Sequence, residues 1–132
     1  MSSNVSGGTM DELIQRLVAN IGVDQATAEK SLGIILDFLA KEGPADKVQT
    51  LLAAMPGSEA LIAAAREGDS GGGLFGGMGG VMAVGSRMMA AGLDMGQIQG
   101  ITRETIAYAR EKAGEDVVGE IVGAIPGLSQ FV

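Results

Sequence analysis

The chain has 132 residues, enough to bury roughly two thirds of its unfolded surface in one core, and its only aromatics are Phe38, Phe75, Tyr108 and Phe131. A core of Leu, Ile, Val, Met and Ala favours close-packed helices over a β-sandwich. Sixteen acids against nine bases give a net charge of −7 with no Lys/Arg run, which argues against a nucleic-acid partner, and the absence of Cys and His excludes disulfides, thiol or imidazole catalysis and His/Cys zinc sites.

Residues 1–9 have neither a charged n-region nor an apolar h-region, so they are expected to be a disordered polar leader rather than a signal peptide. A cytoplasmic address follows by default. Thr9 and Glu12 have capping-box spacing, and Leu13, Ile14, Leu17, Val18 and Ile21 recur at helical spacing, which predicts a helix over 10–21 ended by Gly22. Asp24 caps a longer helix with a broad stripe of Ala28, Leu32, Ile35, Leu36 and Leu39, widened by Ile34 and Phe38. Gly43-Pro44 ends that helix, and Pro44 is expected at the first position of the next, where Val48, Leu51, Leu52 and Met55 face inward. Pro56-Gly57 stops it. Ser58 then caps an Ala-rich helix over Glu59–Glu67.

Nine of the eighteen residues from Gly68 to Gly85 are glycine, at about 1 kcal/mol each relative to Ala in a helix, so residues 68–80 read as a Gly-rich linker and mobile loop. Beyond it, Met82, Met88 and Met89 with Ala83, Ala90 and Ala91 predict a helix ending at Gly92. Asp94 and Gln97 repeat the capping box, and Ile98, Ile101, Thr105, Ile106 and Tyr108 carry a helix to about Lys112, broken by Gly114. Val117, Val118, Ile121, Val122 and Ile125 form the inward face of a last helix, stopped by Pro126-Gly127.

Sliding the chain by 70 residues aligns Gly22-Val-Asp24 with Gly92-Leu-Asp94, Asp46-x-Val48 with Asp116-x-Val118, and Ala54-Met-Pro-Gly57 with Ala124-Ile-Pro-Gly127, without a gap. Most of these identities sit at helix boundaries, where backbone geometry dictates the residue. The fold expected is all-α, a duplicated three-helix unit (10–67 and 81–132) packed as one bundle of six to seven helices. These same residues resemble small uncharacterised bacterial all-helical families, domains of unknown function of which some are carried on integron gene cassettes. The resemblance covers most of residues 10–127. It implies an all-α fold and a bacterial source, and brings no catalytic residue, cofactor or ligand.

Gly71-x-Gly73-x-x-Gly76 matches a dinucleotide-binding pattern, but no strand precedes it and no helix opens at it. No P-loop or EF-hand pattern occurs. Glu29, Asp37, Glu104, Glu111 and Glu120 fall mostly off the apolar stripes and read as solvated faces with pairs such as Asp37–Lys41, while Asp24 and Asp94 read as N-caps. The charge-free run is 17 residues long, short of the roughly 20 a membrane span needs.

The most distinctive cluster is Met78, Met82, Met88, Met89 and Met95, either core filling or an adaptable patch for another chain or an apolar ligand, and the candidate interaction patch is Leu74, Phe75, Met78, Met82, Met88 and Met89. The helix carrying Met82 and Met88 is apolar nearly all round, and it or Leu74-Phe75 is expected to reach a partner surface. The expected role is therefore non-enzymatic, a protein–protein interaction or self-association module without cofactor, metal or nucleic acid. The alternative is a binder of a small apolar ligand or a membrane surface through a groove between the two units. A pocket above about 300 Å³ lined by both halves favours the ligand, and an exposed Met/Leu patch favours the partner.

Overall fold

The computed structural model describes residues 10–68, 80–125 and 127–131. They form seven α-helices and a terminal 3-10 turn, with no strand among the described residues. The helices are α1 (Met10–Ile21), α2 (Gln25–Glu42), α3 (Ala45–Ala54), α4 (Ser58–Gly68), α5 (Gly80–Ala90), α6 (Met95–Ala113) and α7 (Glu115–Ala124), followed by the turn Leu128–Phe131. The fold is an all-α bundle.

Local chemistry accounts for the boundaries. The Asp24 carboxylate accepts the Thr27 amide at 3.0 Å, and Asp94 accepts that of Gln97 at 2.8 Å while the Gln97 side chain accepts the Asp94 amide, a complete capping box. Gly22 and Gly92 close α1 and α5 with φ of +87° and +99°, the left-handed region that a side chain resists.

Three expectations shift. Pro44 is the N-cap of α3 (ψ 129°) rather than its first helical residue, one position earlier than expected, and its fixed φ serves there equally. Ser58 is the first residue of α4 rather than its cap, and its fully buried hydroxyl donates back to the Leu52 carbonyl at 3.5 Å. Gly68 and Gly80 belong to α4 and α5, so the linker is shorter at both ends. The Thr9 cap, the leader, Pro126 and residues 69–79 lie outside the described residues.

α2 is central, with every residue from Ser31 to Leu39 buried. α1 packs on α6 while α5 packs on α2, so the first helix of each half lies against the long helix of the other, and α3 packs on α7. Arg16 of α1 donates to both Glu111 carboxylate oxygens at 3.3 Å and lies 5.3 Å from the ring centre of the fully buried Tyr108, which ties α1 to α6.

Burial repeats at the 70-residue shift: Leu36 and Ile106, Phe38 and Tyr108, Val48 and Val118, Leu51 and Ile121, and Met55 and Ile125 are buried in pairs. Along α2, Gly33, Ile34 and Asp37 break the pattern, being buried where Arg103, Glu104 and Ala107 are exposed or half-exposed. α4 explains the exception. It packs extensively on α2, and the short terminal turn, 70 residues on, stands where a counterpart would begin.

Candidate functional site: a groove between α2, α4 and α5

The α2–α4 crossing is built on Gly33, where a Cβ would strike the Leu61 carbonyl oxygen and come within 3.0 Å of the Ala65 Cβ. Only glycine lets two helix backbones approach this closely. Beside the crossing, α5 runs along the same face of α2, and the side chains along the three helices are too short to fill the space between them. Ala26, Ala64, Ala65, Ser86 and Ala90 leave a cavity of about 420 Å³, with Ile34 and Leu61 as its larger apolar lining. Glu29, Lys30 and Arg87 are its charged lining. The cavity joins both halves of the chain, since α2 and α4 precede the Gly-rich stretch and α5 follows it. Its volume lies within the range of about 300–1,000 Å³ of small-molecule sites.

Three cations converge beside the groove on the fully buried carboxylate of Asp37. Arg66 Nε of α4 donates to Oδ1 at 2.7 Å, while Arg87 Nη1 of α5 and Lys41 Nζ of α2 each lie 3.3 Å from Oδ2. Burial would push the Asp37 carboxyl up, but the hydrogen bond from Arg66 and the charges of Lys41 and Arg87 outweigh it and hold the group below the usual carboxylate range. The expected solvated Asp37–Lys41 pair is thus corrected: the pair exists, but α4 and α5 cover that face of α2 and bring arginines from 29 and 50 residues away. The other acids behave as surface groups, Glu120 pairing with Lys47 at 3.4 Å and Glu29 accepting from Gln25 at 3.2 Å.

Of the candidate interaction patch, Met88 and Met89 have described side chains. Met88 is fully buried and belongs to the core, because α5 lies against α2 and α6. Met89 is 50% exposed and, with Met95 at 49%, is one of two exposed large apolar side chains among the described residues. Leu74, Phe75 and Met78 lie outside the described residues, as does the side chain of Met82. Among the described residues no three acids gather as a metal site requires, and no single helix is long and apolar enough to cross a membrane.

Comparison with protein-family models, with curated proteins and with solved structures finds no match to this chain.

Proposed function

We propose that this protein is a non-enzymatic binding module that takes a small apolar ligand in the groove between α2, α4 and α5. The observation that carries this reading is a concave cavity of about 420 Å³ lined mainly by Ala, Ile and Leu from both halves of the chain. A pocket of more than about 300 Å³ lined by both halves is what the ligand reading requires.

The test uses Nile red, an uncharged dye that brightens on leaving water, in a protein without tryptophan. Saturable binding near one dye per chain, lost in Ala64→Phe with the helical circular dichroism unchanged, is the expected result. Absence of saturable binding by the wild-type chain would sink the reading.

Met89 and Met95 flank the α5–α6 turn and favour self-association as a second reading. Sedimentation of wild type against Met89→Glu/Met95→Glu tests it: a concentration-dependent dimer in the first and a monomer in the second is expected, and a wild-type monomer at every concentration would end it.

A further inference from the structure

The groove is charged in a way that selects among apolar ligands. Lys30 and Arg87 line it, and Lys41 and Arg66 stand behind Arg87 around Asp37. Among the described residues, the bases Lys30, Lys41, Arg66 and Arg87 stand at the groove and around Asp37 with the carboxylates of Glu29 and Asp37, in a protein of net charge −7. The sequence scatters these residues over positions 30 to 87, and only the packing of α4 and α5 on α2 unites them.

Within the cluster the cations have different roles. The Arg87 side chain is only 14% exposed, and its hydrogen bond to the fully buried Asp37 fixes where the guanidinium stands on the groove wall. A cation held in place beside apolar surface attracts an anion more strongly than a solvated one, because less water screens it. Lys30 is exposed and makes no ion pair among the described residues, so its ammonium can swing to whatever occupies the groove. The rest of the lining is mainly apolar, Ile34, Leu61 and the alanines, with Ser86 and Glu29 as its other polar groups.

Resting on the ligand reading above, we infer that the ligand is a single-chain amphiphile with a carboxylate head, its head at Lys30 and Arg87 and its aliphatic tail along the alanine-lined part of the groove. Asp37 acts as a positioning residue that keeps Arg87 on the wall. A neutral hydrocarbon would leave the two cations without gain, and an alkylammonium would meet like charge. A free carboxylate amphiphile fits better than a bilayer because the groove is concave and of small-molecule size.

The experiment displaces bound Nile red with decanoate, 1-decanol and decyltrimethylammonium, each below its micellar concentration, from wild type, Lys30→Gln and Ala64→Phe. Decanoate is expected to bind about tenfold more tightly than decanol, the range of one partly shielded charge-assisted hydrogen bond, and the alkylammonium more weakly than either. Lys30 is exposed, so its replacement leaves the fold intact; Lys30→Gln should bring the ratio of decanoate to decanol affinity from about ten to near one. Equal affinity for decanoate and decanol would overturn the carboxylate inference and leave the groove reading standing. Failure of the dye and all three amphiphiles to bind would overturn both. Binding to phosphatidylglycerol vesicles with no binding of free decanoate would replace the free amphiphile by a membrane surface and also overturn the inference.

Discussion

Asp37→Ala removes the one carboxylate on which Arg66, Arg87 and Lys41 converge. The cost is set by what each cation does next. Arg66 and Lys41 are 56% and 59% exposed, so both can turn into water, and their loss amounts to about 0–1 kcal/mol each, as for surface pairs. Arg87 is 14% exposed and turns into water less readily, so losing its bond to Asp37 costs more than a surface pair, toward the lower end of the about 3–5 kcal/mol of a broken buried pair. The expected loss is about 3 kcal/mol, or roughly 10 °C in melting temperature for a chain of this size. Urea unfolding followed by circular dichroism at 222 nm measures it. Asp37→Leu/Arg87→Met, which removes both charges, should recover at least about half of the loss, because much of the penalty lies in keeping the guanidinium out of water rather than in the missing bridge. Because the folded-state pKa of Asp37 lies below its unfolded value of about 3.9, its contribution is present above that pH and is lost as pH falls through the folded pKa. The difference between wild type and Asp37→Asn should therefore shrink as pH drops below about 4. A loss under about 0.5 kcal/mol for Asp37→Ala at pH 7, or a difference that grows in acid, would refute this account of the cluster.

Leu36 is fully buried on the central helix, and Leu36→Ala should cost about 2–5 kcal/mol in urea unfolding, with a loss below about 0.5 placing it on the wrong face. Gly33→Ala sets a methyl against the Leu61 carbonyl oxygen, so α4 must lift from α2: thermal unfolding should show a loss of about 1–3 kcal/mol, and Nile red affinity should fall because the groove wall moves. Gly119 in α7 is exposed, with open space where an alanine methyl would stand, so Gly119→Ala should raise stability by about 0.5–1 kcal/mol in the same assay.

Where a feature depends on neighbours in sequence, it was legible before the fold was known. The cap aspartates Asp24 and Asp94 and the stops at Gly22, Gly92 and Gly57 act within one helical turn, and the apolar stripe of α2 is written in the spacing of Leu32, Ile35, Leu36 and Leu39. Asp37 was hidden because its arginines come from two other helices, and an acid four residues before a lysine reads as a solvated pair. A signal was nevertheless present. Asp37 falls inside Gly33-Ile-Ile-Leu-Asp-Phe-Leu39, where apolar residues cover so much of the helix circumference that little of it is left for solvent. The groove was hidden for a different reason: it is made by side chains that are short, and an alanine-rich helix reads as high helix propensity rather than as missing volume.

The recurrence of burial at the 70-residue shift and the groove bear on each other. Burial recurs at a 70-residue shift along the core positions, as a duplicated unit would require, and it fails at Gly33, Ile34 and Asp37, the face of α2 that α4 covers. In the second half the corresponding positions, Arg103, Glu104 and Ala107, are exposed or half-exposed. Glycine at 33 admits α4, aspartate at 37 gathers its arginine and that of α5, and the alanines of α4 leave the space beside them. Any binding carried by the groove is therefore a property of the place where the two halves differ, and the residues to vary in search of it are those at which the shifted sequences disagree in burial, not those at which they match.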